Sequence, residues 1–253
     1  MSEPLISVVN VSKIYEKPWA PAFAAGTLLG GLYERFMGGA EERVEPALKV
    51  TAVHHLSLDI QAGEFTAIAG PSGSGKSTLL NLIGTLDTPS HGEIRYEGRK
   101  VSHLPEDALA EFRLRTLGFV FQAYNLIPVL TALENVEYVL QLQGVEKLNR
   151  RERSMEALRW VGIEKLANRR PDHLSGGQQQ RVAIARAIVH RPPVVLADEP
   201  TANLDSKTAA ALMDLMGTLN KEHRITFVFS SHDELVLSRA KRVVHIRDGS
   251  LVD

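Results

Sequence analysis

GPSGSGKST, residues 70–78, follows the apolar stretch FTAIA at 65–69 and precedes an apolar helical pattern at 77–86. This order predicts a strand, a glycine-rich turn and a helix N-terminus. The spacing G-x-x-x-x-G-K-[ST] is met by Gly70, Gly75, Lys76 and Ser77, with Pro71, Ser72, Gly73 and Ser74 inside the turn and Thr78 after it. Glycines let successive N–H groups curl around an anion. The helix start adds unpaired N–H groups and the positive end of a dipole. Lys76 can reach terminal phosphates and the Ser77 hydroxyl can ligate Mg²⁺. The stretch therefore reads as a triphosphate-binding loop. The competing reading, a solvated Gly/Ser turn, accounts for neither the strand before it nor the helix after it.

The chain has 253 residues, enough to bury a substantial core. Its 29 basic and 30 acidic residues leave a net charge of −1, which gives no electrostatic case for nucleic acid as the main partner. With no cysteine, disulfides, thiolate metal sites and cysteine nucleophiles are excluded. The start MSEPLISVVN has neither the basic opening nor the long apolar core of a signal peptide, and no run reaches the length of a membrane span.

Strand signals rich in β-branched residues fall at 6–11, 49–60, 65–69, 93–96, 117–121, 194–197, 225–229 and 243–246. Helical periodicity is clearest at 77–86, 178–190 and 206–220, the last with Ser206 as its expected cap. Runs such as VVLA and TFVF, apolar on both faces, belong in a parallel sheet covered by helices, so the fold class is α/β. Residues 104–162 carry many helix formers and few strand signals, which suggests a helical subdomain inserted into the nucleotide core.

The stretch 18–33 carries no charged residue and includes Trp19, Phe23, Leu28, Leu29 and Leu32. Five of its sixteen residues are Gly or Pro, which argues against a membrane-spanning helix. Two readings stand: a short element packed on its own domain, or an apolar surface at 19–37 that docks on a membrane or partner.

A second constellation is HLSGGQQQRVAIARAIV, residues 173–189. Ser175 followed by Gly176, Gly177 and Gln178 opens a helix and offers another hydroxyl and another set of free N–H groups. A chain already holding phosphates at 70–78 has little need of a second nest. The segment either meets a nucleotide held by another copy or is an ordinary capped helix start. Farther on, LADEPTANLD at 196–205 ends an apolar strand in Asp198 and Glu199, at the sheet edge where ligands bind in open α/β folds. Asp198 can hold Mg²⁺ and Glu199 can polarise an attacking water. FSSHDE then places His232 at the same edge, within reach of a terminal phosphate.

With these motifs in this order, the chain resembles the ATPase subunit of ATP-binding cassette (ABC) transporters over nearly its whole length except 17–46. GPSGSGKST resembles the Walker A loop, LSGGQ the family signature, VVLADEP the Walker B strand, NLD the D-loop and SHD the switch histidine. The resemblance implies a single cassette with a P-loop core of mainly parallel sheet, an antiparallel β subdomain, and a helical signature subdomain at about 104–190. It implies that ATP and Mg²⁺ are bound by residues 70–78, with Ser77, Asp198 and Gln122 toward the metal. Glu199 would be the general base, His232 the switch residue, Asp205 a contact across a cassette dimer, and 124–136 the groove for a permease helix. Tyr15 corresponds to the aromatic that stacks on adenine, with Trp19 and Tyr33 as alternatives. The implied partners are a second cassette and a separate transmembrane permease, and the implied place is peripheral, on the cytoplasmic face of the membrane.

FQAYNLIPVLTALENV and GTLDTPSHGEI are most similar to the lipoprotein-releasing and macrolide-export group, although the insert at 17–46 departs from it. The rival is a non-transport ATPase of the same superfamily, acting in DNA repair or chromosome organisation. Such proteins need long heptads, and 104–162 has none. Deleting 17–45 tests the insert: lost complex assembly and lost partner-stimulated ATPase are expected from a docking role, measured by co-purification with the membrane partner.

Overall fold

The computed structural model describes residues 3–17 and 48–252. Trp19, Tyr33 and the apolar segment 19–37 lie outside the described residues. Strand β3 (Phe65–Ala69) is buried along its whole length. It runs parallel to β8 (Thr226–Ser231) on one side and β9 (Arg242–Arg247) on the other. Beyond β8 come β7 (Val194–Asp198) and β6 (Leu117–Val120), both parallel; beyond β9 comes antiparallel β10 (Ser250–Val252).

Side-chain alternation explains why the central strands β3, β7 and β8 carry apolar residues on both faces for most of their length. Phe65, Ala67, Val195, Ala197, Phe227 and Phe229 join one core cluster, while Ile68, Val194, Leu196, Val228 and Ile246 join a second. Each face needs its own cover, so both sets of positions are mainly apolar. The first face is covered by α3 (Ala132–Leu142), α4 (Lys147–Trp160), α5 (Gly176–Ile188) and α6 (Ser206–His223). The second is covered by α1 (Lys76–Ile83) and by an antiparallel sheet of β2 (Leu48–Ile60), β1 (Ile6–Lys17), β4 (His91–Tyr96) and β5 (Arg99–Lys100), in that order. His54 N–H donates to the Gly249 carbonyl at 2.8 Å, joining the two sheets behind the phosphate loop.

Several boundaries differ from the sequence expectation for identifiable reasons. Helix α1 stops at Ile83, not at 86, because Gly84 caps it and Thr85 turns into the left-handed region at φ 54°. A Cβ on Gly84 would lie 2.7 Å from the Phe119 ring, so a larger residue there would force that ring to move. Helix α6 is capped by Asp205, not Ser206: the Asp205 carboxylate accepts Thr208 N–H at 3.0 Å, leaving Ser206 as the first helical residue. Within 104–190, α2 (Glu106–Thr116) leads directly into β6, an edge strand of the parallel sheet, and α3, α4 and α5 follow before β7.

Two buried asparagines fix irregular backbone. Asn220 Nδ2 donates to the Gly63, Glu64 and Ile225 carbonyls, and its Oδ1 accepts from Lys241 Nζ at 2.7 Å. Asn135 Nδ2 donates to the Ile127, Leu130 and Thr131 carbonyls while its Oδ1 accepts Ile127 N–H, locking the turn before α3. Removing such an amide strands several buried backbone groups. Among the described residues no helix is long and apolar enough to cross a membrane.

His190 follows α5, with Nε2 against the Leu117 carbonyl at 3.2 Å and Nδ1 buried without a partner. A carbonyl only accepts, so Nε2 carries the proton. Burial, reinforced by Arg153 and opposed by the Leu117 carbonyl, pushes its pKa down to about 4. The unfolded chain therefore binds the extra proton first as pH falls below about 6.5. Stability present at pH 7 should decline through the window from 6.5 toward 4, by about 2 kcal/mol at pH 5 from this group. Urea midpoints at pH 7 and 5 check this, and the pH dependence should flatten in H190Q.

Candidate functional site

Register determines which residues meet. Ala69 pairs with Ser231 on β8, and Asp198 on β7 pairs with Ser230. Val120 on β6 pairs with Ala197. The ends of four parallel strands thus bring the phosphate loop, Gln122, Asp198, Glu199 and His232 to one edge of the sheet. A cleft of about 360 Å³ opens there, lined by Ser72, Gly73, Gly75, Lys76, Ser77, Thr78, Gln122, Glu199 and His232, with Ala52 and Ala202 at its borders.

The loop is built around close approaches. Gly75, the N-cap of α1, has φ 102°, and a Cβ there would lie 2.3 Å from the Ala52 carbonyl oxygen. Gly70 is equally confined: its Cβ would fall 2.2 Å from the Ile246 carbonyl oxygen. Gly73, at φ 80°, has open space around it. No side chain caps α1, so the first-turn N–H groups stay available to an anion. Lys76 Nζ donates to the Gly70 and Pro71 carbonyls at 2.8 and 3.0 Å, which holds the ammonium across the loop. Ser74 is buried and serves the loop's interior; its carbonyl accepts Gly249 N–H at 3.0 Å.

Opposite the loop, Asp198 Oδ1 accepts from Ser77 Oγ at 2.9 Å and from Ser230 Oγ at 2.6 Å. Glu199 leaves β7 in the left-handed region, at φ 43°, and its Oε1 accepts from His232 Nδ1 at 2.8 Å. Asn203 Nδ2 donates to the Gln122 carbonyl at 2.9 Å. Hard oxygen donors from Ser77 and Asp198, beside a loop shaped for phosphate, suit Mg²⁺, which takes few protein ligands and keeps phosphate and water in its shell. Among the described residues no cluster of three or more His, Cys, Asp or Glu could form an all-protein metal cage.

The signature segment does not line this cleft. Ser175 caps α5 in a reciprocal box: its Oγ accepts Gln178 N–H at 3.4 Å, and Gln178 Oε1 accepts Ser175 N–H at 3.0 Å. A Cβ on Gly176 would lie 2.9 Å from the Tyr124 hydroxyl, and one on Gly177 would lie 2.6 Å from Thr208 Cγ2. Buried Gln180 Nε2 donates to the Pro200 carbonyl at 2.7 Å, tying α5 to the turn after Glu199. Asp205 is likewise outside the cleft. Its carboxyl is held below its usual range by the Thr208 hydroxyl first and the Thr208 N–H second.

Tyr15 also lies off the cleft lining. Its hydroxyl donates to Asp87 Oδ2 at 2.8 Å, and Lys13 Nζ sits 5.0 Å from its ring centroid. Burial first and the Asp87 hydrogen bond second raise its pKa, against a smaller pull from the Thr78 side chain. Burial alone would raise the Asp87 carboxyl, but hydrogen bonds from Lys13, Tyr15 and Thr88 N–H outweigh it and hold the pKa low.

Beyond Gln122, Tyr124 and Asn125 both take left-handed conformations. Arg186 on α5 donates to both carbonyls, at 2.8 and 2.5 Å. Arg186 and Asn125 also border a groove of about 330 Å³ with Leu86, Leu114, Phe119, Phe121 and Val139. Of the segment 124–136, Asn125 lines this groove; most of the wall comes from α2, β6 and their flanks. Arg186, Ser230, Asn203 and Ala52 escaped the sequence reading because each meets the site only through a distant element.

With this geometry the match to known proteins is unambiguous. The family model described as ABC transporter matches residues 53–202. The chain belongs to the ABC transporter family. It is an ABC ATPase cassette, and its sheet arrangement is that of the family's solved cassettes. It is 47% identical over 206 residues to an uncharacterized ABC transporter ATP-binding protein of Methanocaldococcus jannaschii, MJ0796, covering 80% of this chain and 88% of that one. MJ0796 has been solved as a dimer in a post-hydrolysis state bound to ADP and Pi. That structure superimposes with a TM-score of 0.80 at 40% identity, over 98% and 97% of the two chains. The cassette is also 46% identical over 224 residues to the macrolide export ATP-binding/permease protein MacB of Nitrosomonas europaea, covering 88% of this chain but 33% of that longer protein. The cassette cbiO1 of Clostridium perfringens, part of the transporter complex cbiONQ, matches with a TM-score of 0.78 at 25% identity, over 99% and 88% of the chains.

The loop's packing gives a contrast within the cassette. G75A should weaken ATP binding at least tenfold and lower the melting temperature, because Ala52 backbone blocks the added methyl. G73A should cost only the strain of a left-handed alanine, about 1 kcal/mol. Equilibrium nucleotide binding and thermal melts on both variants check this.

Proposed function

We propose that this cassette dimerises head to tail and hydrolyses two ATP molecules, each held between the phosphate loop of one copy and the signature of the other. The observation that carries the reading is that Lys76, Ser77, Gln122, Glu199 and His232 line one cleft, while Ser175, Gly176, Gly177 and Gln178 of the same chain do not. Ser175 is exposed and Gly176, Gly177 and Gln178 are half-buried, so this end of α5 is open to a nucleotide held by another copy.

In this reading the first-turn N–H groups of α1 and Lys76 hold the phosphates, and Lys76 turns its ammonium from loop carbonyls toward phosphate oxygens. Ser77, Asp198 and Gln122 hold Mg²⁺, which when bound neutralises charge building on the transferring phosphoryl group. Glu199, 15% exposed at its side chain, polarises the attacking water. His232 bonds Glu199 Oε1 on one side and is 66% exposed on the other, so it can orient the base and meet the terminal phosphate. Asp205 contacts the facing copy, and Tyr15 packs toward the adenine.

The same reading assigns 1–253 to one cassette, 17–46 to an insert that docks on membrane or partner, and roughly 104–190 to the helical subdomain. A separate permease places a cytoplasmic helix in the groove beside Phe121 and Asn125, holding the cassette peripherally at the cytoplasmic face of the membrane. Similarity to MacB supports a permease of the lipoprotein-release or macrolide-export type.

E199Q should lower turnover at least a hundredfold while keeping ATP affinity and accumulating an ATP-bound dimer, read by steady-state ATPase and gel filtration. Unchanged turnover removes Glu199 from the base role. S175A should cost about 1 kcal/mol of stability for the lost cap. It should also reduce hydrolysis per folded molecule while monomeric ATP binding stays intact; stability loss alone would mean a local cap and nothing more.

A further inference from the structure

Ser230 has no exposed surface, yet it sits where the two acidic residues of the site diverge. Its Oγ donates to Asp198 Oδ1 at 2.6 Å and accepts Glu199 N–H at 2.9 Å. A hydroxyl has one proton, and here Asp198 takes it; a lone pair then remains for the Glu199 amide. Both bonds thus depend on one side-chain orientation, which the parallel pairing of Asp198 with Ser230 places directly across the ladder.

Each bond has a mechanical consequence. Asp198 Oδ1 receives Ser77 on the loop side and Ser230 on the β8 side, so the carboxylate is clamped between two hydroxyls. Glu199 occupies the left-handed region, a conformation that costs a non-glycine residue about 1–2 kcal/mol and persists only where its surroundings enforce it. The Ser230 oxygen satisfies the amide at that turn and thereby sets the direction in which the Glu199 side chain leaves the strand. We propose that Ser230 is a positioning residue for ATP hydrolysis, its single hydroxyl fixing both the Asp198 carboxylate and the backbone turn that aims Glu199. The inference rests on the assignment of those two acids given above. Neighbouring Ser231 is spent differently: its Oγ accepts Asp233 N–H at 3.1 Å, in the turn that follows His232.

The test compares S230A, S230T and S231A in the full chain by ATPase kinetics, Mg²⁺ titration, thermal melting, and Mn²⁺ binding to the ADP-loaded protein by electron paramagnetic resonance. S230A should lower kcat about tenfold, raise the half-activating Mg²⁺ concentration several-fold and weaken Mn²⁺ binding similarly. Its KM for ATP at saturating Mg²⁺ should stay within about twofold. S230T, which keeps the hydroxyl, should recover the wild-type metal requirement. S231A should keep that requirement whatever it does to the melting temperature. Wild-type kcat and metal affinity per folded S230A molecule, or an S230T that folds normally yet matches S230A, overturns the inference. If the added methyl unfolds S230T, S230A against S231A decides it. Failure of the underlying assignment is separately visible: an active E199Q removes the Glu199 arm, while the Asp198 arm is still judged by Mn²⁺ affinity in S230A.

Discussion

The parallel register of β7, β8 and β3 is the constraint on which the rest depends. Asp198 pairs with Ser230, and Ala69 pairs with Ser231, so the glycine-rich loop, both acids and His232 leave adjacent strands at one level. The 2.9 Å bond from Ser77 to Asp198 exists only in that register. A shift of one residue would exchange buried for site-facing positions along a strand and turn Phe229 or Ala197 toward the wrong core layer. The apolar faces on both sides of the sheet therefore fix the catalytic edge, even though none of their residues touches it.

At this edge and elsewhere the molecule spends polar side chains on holding backbone. Asn220, Asn135, Arg186, Gln180 and Asn203 each bond carbonyls of segments that are neither helix nor strand. Arg186 and Gln180 are the most informative. Both lie on α5, the helix that the signature opens, and they reach the turn beyond Gln122 and the turn beyond Glu199. A displacement of α5 is thus felt at both segments flanking the cleft, which gives a physical route between the signature end of one helix and the nucleotide edge of the sheet.

Much of this was legible in the chain before folding. The loop at 70–78, the acids at 198 and 199 and His232 announce their chemistry through residue type and spacing. The strands VVLA and TFVF announce a sheet covered on both faces. Other features were not legible from the local pattern. Asp205, and not the expected Ser206, caps α6, because Thr208 N–H lies within its reach and Ser206 is already helical. The groove beside Asn125 takes its walls mainly from Leu86, Leu114, Phe119 and Phe121. Leu86 comes from the turn after α1 and the others from α2, β6 and its flank, so no single local pattern links them.

Sequence by itself determined the chemistry of the loop at 70–78, because an anion cradle requires glycines, a lysine and a hydroxyl at fixed short spacing, and all of these lie within one short stretch of backbone. Tertiary structure alone decided how those groups are held. The hydroxyl of Ser230 reaches Asp198 and Glu199 across some thirty residues of chain, and Arg186 reaches Tyr124 across twice that distance, through contacts of |i−j| 31, 32 and 62. Hydrogen bonds act over about 3 Å and are blind to chain distance. Only the packed sheet and its helices bring such partners together.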